Sequence, residues 1–419
     1  MNKSLNTKRV ESGERIALLV LLILFVFSLI TKFFTLPYSS LILTQSQVNA
    51  INSGDLFVQI SLSIILAYIF LFKKNKNMYY PLTRNLLLLT YLIFLTLTLI
   101  YSVDKNITIR RIILLYIIIS FGLFLLSIDN DIEYLFRIIY KFTKIYLVIT
   151  LIGLLRNIFI FKLPAWFIPF SNFGASHRDG EIFAIGLIVT IGIFMKSNKS
   201  ERNLLFPIIL LLVFLLLTGS RTSLIGFFIS SLYLIWKLES IGKSTKFILI
   251  FTLAVFVLSA YYILPAQSKE NIIREDSIDT LTGRIPLWYT LVYGINQNAL
   301  WGTGFGAFWT VERRETIQFL VGWPAPAAHN GFLEVYLNTG LIGLFFVISL
   351  LINVWYKSKF LQRDNSIIAK SLLLYIIIQN LTQGSFQYLR IYVEVVFIWL
   401  MIFILLRRNN DNFNNNYIL

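Results

Sequence analysis

The 419-residue sequence contains no cysteine. Disulfides, thiolate metal sites and cysteine nucleophiles are thereby excluded. Histidine is almost as scarce, with only His177 and His329, so a multi-histidine metal centre is not expected. Charged residues make up 14% of the chain. No Walker-type phosphate loop, HExxH helix or serine nucleophile elbow is present. Nucleotide hydrolysis, zinc proteolysis and serine hydrolysis therefore have no sequence support.

Apolar residues are abundant, at 57% of the chain, against roughly 45–50% in soluble domains. They fall in blocks near the length of a bilayer crossing, about 20 residues. The expected fold is an all-α polytopic integral membrane protein. Spans are expected near 16–36, 55–72, 86–101, 111–128, 142–161, 181–196, 204–219, 221–236, 246–264, 338–356, 366–382 and 389–406, about twelve in all. The first is read as a retained span, because no small-residue cleavage site follows it. Residues 1–15 form an N-terminal segment, 16–264 carry spans one to nine, and 265–337 form a large polar loop. Residues 338–406 carry the last three spans, and 407–419 form an asparagine-rich tail.

Formal charge is +16. In this setting it reflects basic cytoplasmic loops, not nucleic-acid binding. With both termini cytoplasmic, the inner segments hold 23 of the 37 lysines and arginines, so this orientation is expected. The two sides also differ in kind: 15 of the 23 inner bases are lysine, whereas 10 of the 14 outer ones are arginine. Topology needs charge alone, while planar bidentate recognition of phosphate favours arginine. Some, such as Arg110 and Arg156, are read as snorkelling at the interface. The excess points to an anionic ligand on the outer side.

The candidate chemistry gathers in the large loop and its flanks. His329 follows Pro324-Ala-Pro326, which limits backbone freedom, and an imidazole can take a proton from an attacking hydroxyl. It can equally be a structural residue at the start of the next helix. Asn330 suits the cap of that helix. Glu334, one turn on, reads as a second site residue or as a satisfied interfacial glutamate. Arg221 lies in Thr218-Gly-Ser-Arg-Thr222, a polar break between two apolar blocks, where charge is costly and suggests function. Arg284 stands in Thr-Gly-Arg at the start of an amphipathic segment running to about Asn296, a suitable phosphate site. A second outer loop carries Ser176-His-Arg-Asp-Gly180, whose His177 competes for the role of base and whose Arg178 is a weaker ligand contact. The run Trp301-Gly-Thr-Gly-Phe-Gly-Ala-Phe-Trp309 predicts tight turns and close backbone approach, with interfacial aromatics. Its spacing is not that of a dinucleotide fingerprint.

His329-Asn330, nine residues, then Gly340-Leu-Ile-Gly343 resembles the pattern of the bacterial O-antigen ligase and O-antigen polymerase superfamily. Ser220-Arg221 and Gly283-Arg284 with Trp288 also resemble family positions, so the likeness is strongest over 215–345. The resemblance implies a GT-C-like glycosyltransferase that moves a glycan from undecaprenyl pyrophosphate to an acceptor hydroxyl. The reaction would occur on the outer side of the bacterial inner membrane, without a metal or other cofactor, inverting the anomeric carbon. His329 would then be the base, and Arg221 and Arg284 would hold the departing pyrophosphate. A polymerase extends another lipid-linked glycan, whereas a ligase uses lipid A-core. The stretches Gly306–Trp309 and Pro326–Gly331 look more like exopolysaccharide and capsule polymerases. The competing reading from another class is a lipid-linked glycan flippase. No internal repeat supports a transporter built from inverted halves.

Overall fold

The computed structural model describes residues 10–21, 80–161, 176–196, 204–218, 220–238, 242, 244, 246–247, 283–294, 298–323, 325, 327–383 and 392–407. Among them every regular element is helical. After a helical segment at 10–21 come α1 (Leu86–Tyr101), α2 (Lys105–Ile128), α3 (Ile132–Phe161), α4 (Ser176–Lys196), α5 (Leu205–Leu217) and α6 (Arg221–Lys237). The large polar loop contributes α7 (Arg284–Tyr289), continued by a π-helical turn over Thr290–Gly294, and α8 (Val311–Val321). Then follow α9 (Gly331–Lys357), α10 (Arg363–Thr382) and α11 (Tyr392–Leu405). Each long helix from α1 to α6 and from α9 to α11 coincides with a span expected from hydropathy. The segment expected at 55–72 and most of 16–36 and 246–264 lie outside the described residues, as does the first part of the large loop. By length and composition, α2 and the helix over Gly331–Phe360 qualify as membrane crossings, while α1, α5 and α11 are shorter apolar helices.

Helix α11 forms the centre of the bundle. Every residue from Val393 to Leu405 is buried, against α2, α3, α4, α9 and α10. Trp399 donates its indole N–H to the Ile118 carbonyl at 3.1 Å, and Gly122 leaves room for the same ring. Helix α4 packs tightly through small residues: a Cβ on Gly186 would reach Thr143 at 2.2 Å, and one on Gly192 would reach Ile368 at 2.6 Å. Close approach through glycine is the usual way of packing helices that lipid cannot drive together.

The bundle has two chemically distinct ends. At one, Lys196 closes α4 by pairing with Glu133, and Asn365 at the start of α10 donates to Glu133 at 2.9 Å. Lys141 and Glu14 pair on α3 and the 10–21 helix. At the other end, the start of α4 meets the start of α6, and α10 terminates at Thr382. The segments that carry Arg221, Arg284 and His329 all meet this second end.

A kink in α9 joins the bundle to the large polar loop. Gly340 has φ 67° and ψ −167°, so the helix is broken there. The groups released by that break must be satisfied inside the fold. The glycine-rich run supplies the partners. Thr303 and Gly304 donate backbone N–H groups to Asn338 O at 3.1 and 2.8 Å, and Leu341 N–H reaches Ala299 O at 2.9 Å. Phe308 N–H is received by the Asn338 side chain at 2.9 Å. The close approach expected of these glycines is therefore to α9 and its neighbours. The interfacial reading of the aromatics needs correction: Trp301 is exposed, but Phe305 and Phe308 are buried. Above the kink, Leu337 packs with Leu287, Leu291, Phe308, Ile317, Ala325 and Ala328 in a small separate core. The large loop thus has its own hydrophobic centre and holds the first turns of α9.

Candidate functional site

Arg221 is the first residue of α6. The preceding Ser220 occupies the cap position, but its hydroxyl donates to Ser223 Oγ at 2.9 Å and makes no capping bond. The first-turn amides therefore receive no side-chain cap from Ser220, and the helix end presents partial positive charge beside an arginine. Gly180 sits directly against this turn: a Cβ there would lie 2.8 Å from Ser220 Cβ. The segments around Gly180 and Ser220 are thus packed together. The backbone of His177 and Arg178 opens α4, while their side chains lie outside the described residues. Asp179 accepts a hydrogen bond from the Tyr146 hydroxyl, and Glu181 accepts one from Gln379 Nε2 at 2.7 Å.

Arg284 begins α7 after Gly283, whose φ of 78° turns the chain into the helix. Its Nη1 donates to the Thr382 carbonyl at 2.7 Å, at the last residue of α10. A cation at a helix C-terminus is favourable. The Thr382 hydroxyl also shares a 2.8 Å hydrogen bond with that of Thr222, the neighbour of Arg221. Both arginine-bearing turns are therefore tied to one residue. Burial lowers the Arg284 pKa, and the positive charge of Arg221 lowers it further. Among the described residues no carboxylate pairs with Arg284. Burial and a neighbouring cation both disfavour charge on Arg284, and an arriving anion would relieve that cost.

His329 is the one described non-glycine residue with positive φ, at 51°. This left-handed conformation is uncommon for a side-chain-bearing residue and must be held by its surroundings. The residue before it is fixed on both sides. Ala328 N–H donates to Glu334 Oε1 at 2.6 Å, and Ala328 O accepts from Trp288 Nε1 at 2.7 Å. The residue after it is fixed as well, because Asn330 Oδ1 caps α9 by accepting Leu333 N–H at 3.0 Å. Glu334 is only 1% exposed and also accepts from Trp309 Nε1 at 2.9 Å. Asn330 and Glu334, candidates for substrate contact in the sequence, thus commit side-chain oxygens to holding the histidine turn. The start of α9 docks on α10: a Cβ at Gly331 would be 2.0 Å from Asn380 Oδ1.

The last turn of α10 is consequently the meeting point. Asn380 receives the His329 side, and Thr382 receives both arginine turns. Sequence reasoning did not single out this helix end, nor Trp288 and Trp309 as braces. The visible signal was a glutamate in an apolar helix start, whose cost in burial demands partners. Among the described residues, no cluster of three acidic or histidine side chains could hold a metal ion. The arrangement offers two cations and a helix terminus for an anionic group, with an imidazole on a tightly braced backbone turn close to Trp323.

Residues 206–348 match the family model described as O-antigen ligase. The match spans Arg221, Arg284, His329 and both glycines of the α9 motif, and it ends within α9. No curated protein matches the chain.

Proposed function

We propose that this chain, whose residues 206–348 match the O-antigen ligase family model, is an integral-membrane glycosyltransferase of polysaccharide assembly. Its donor is a glycan on undecaprenyl pyrophosphate and its acceptor is a sugar hydroxyl at the outer face of the bacterial inner membrane. Both termini are cytoplasmic in this reading. The observation that carries the proposal is that Arg284 and Thr222, the neighbour of Arg221, both bond to Thr382, within one turn of the docking point of the histidine helix.

In the reaction, the two arginines and the α6 terminus hold the donor diphosphate. His329 removes the proton from the acceptor hydroxyl. The oxygen attacks the anomeric carbon from the side opposite the diphosphate, so the configuration inverts. The bond to the leaving oxygen breaks, and its electron pair departs on undecaprenyl pyrophosphate. Charge grows on that leaving group in the transition state, where preorganised cations contribute most. Two arginines supply the positive charge without a metal ion or other cofactor.

Polymerisation is the preferred outcome, on the likeness of Gly306–Trp309 and Pro326–Gly331 to exopolysaccharide and capsule polymerases. Ligation to lipid A-core is the alternative. Purified protein would be given an undecaprenyl-pyrophosphate oligosaccharide without added metal, with and without lipid A-core. A ladder in the absence of lipid A-core makes it a polymerase, whereas product only in its presence makes it a ligase. No product from the native donor would favour a flippase.

A further inference from the structure

The loop core contains three tryptophans at the site, and two of them have clear structural duties. Trp288 Nε1 donates to Ala328 O, and Trp309 Nε1 donates to Glu334. Trp323 differs. Its indole N–H donates to none of the described residues, and the ring remains partly exposed at the edge of the loop core. Its position is also particular. A Cβ on Gly283 would lie 3.2 Å from Trp323 Nε1, so the indole edge rests on the turn that carries Arg284. On its other side, the ring centroid is 6.2 Å from that of His329, with the planes tilted by 32°. The indole thus fills the interval between the phosphate-binding arginine turn and the base.

Chemistry says what must cross that interval. If Arg284 holds the diphosphate and His329 serves the attacking hydroxyl, the anomeric carbon lies between them. The ring of the first donor sugar must then pass over the residue that separates the two. Pyranose rings present flat C–H faces, which pack on aromatic faces, and their oxygens accept from indole N–H groups. We propose that Trp323 is the platform for the first sugar of the lipid-linked donor, with its N–H free to hydrogen-bond a ring substituent. This inference rests on the glycosyltransferase reading above and adds the sugar subsite to it.

The test compares wild type with Trp323→Ala and Trp323→Phe. The donor is the lipid-linked glycan that accumulates in cells deleted for this gene, and undecaprenyl pyrophosphate, which has no sugar, is the competitive inhibitor. Trp323→Ala is expected to raise KM for the donor by about tenfold, the scale of one aromatic stacking contact, and to leave inhibition by undecaprenyl pyrophosphate within a factor of about two. Trp323→Phe, which keeps a ring but loses the N–H, should fall between. Unchanged inhibition also shows that the variant is folded at the arginine site. A donor KM unaltered in both variants overturns the proposal. So does an equal loss of affinity for donor and inhibitor, which would make Trp323 a structural or phosphate contact. Wild type that fails to turn over the donor, while the inhibitor still binds, removes the transferase reading and this inference with it.

Discussion

At the residue scale, the arginines carry different risks from the histidine. Arg284 bonds a carbonyl through one nitrogen and keeps a planar fork of donors, which lysine cannot reproduce. Arg284→Lys is therefore expected to lower turnover about as severely as Arg284→Ala, on the order of 10²–10³-fold. Measured transfer rates for the two variants side by side check this, and a lysine variant near wild type would argue against bidentate phosphate binding. His329 and the arginines were legible because scarce or costly residue types in an apolar chain stand out. The same reasoning gave both possible roles for Glu334 but could not choose. Its partners, Ala328 N–H and Trp309, are set by the tertiary fold. Glu334→Ala should lower kcat about tenfold or more by releasing the clamp, since small misplacements of a base are expensive. It should leave donor KM close to wild type, and Glu334→Gln should recover part of the rate because its amide oxygen still accepts one of the bonds. A donor KM that rose with no change in kcat would place Glu334 in direct contact with substrate instead.

At the element scale, α9 is two functional pieces joined at Gly340. Its upper turns belong to the loop core and carry the histidine. Its lower turns pack in the bundle, where Phe346 stacks with Phe94 at 5.5 Å. The glycine spacing of the motif was plain in the sequence, but its reason was not. Gly340 holds a conformation essentially closed to other residues, and an added Cβ would approach Leu300 O to 2.1 Å. Gly340→Ala is expected to destabilise the fold by several kcal/mol, about 1–3 from the backbone alone, and more from the clash. Folded yield and thermal unfolding in detergent measure this; a stable, active alanine variant would mean that the kink is dispensable. The loop helices were only partly legible. The amphipathic segment after Arg284 changes to a π turn at Thr290, and α8 was not foreseen because its residues Val311–Val321 lack a clear apolar face. Only Ile317 among them is buried.

At the scale of the whole molecule, hydropathy located every long described helix, because apolar length is a strong signal in lipid. Pairing between helices was not legible, since glycine contacts such as Gly180 with Ser220 join positions distant in sequence. The lack of native cysteine makes the topology directly testable. Thr316→Cys, exposed on α8, should react with a membrane-impermeant maleimide in spheroplasts, whereas Lys359→Cys, exposed beyond α9, should react only after permeabilisation. The reverse pattern would put the candidate site in the cytoplasm. The central claim is that one outer site divides donor binding from proton removal between Arg221 with Arg284 and His329. It is tested most directly by measuring radiolabelled undecaprenyl-pyrophosphate glycan binding and transfer in wild type, Arg284→Ala and His329→Ala. The account predicts that His329→Ala binds the donor like wild type yet transfers nothing, while Arg284→Ala loses binding. Continued transfer by His329→Ala, or normal donor binding by Arg284→Ala, would contradict it.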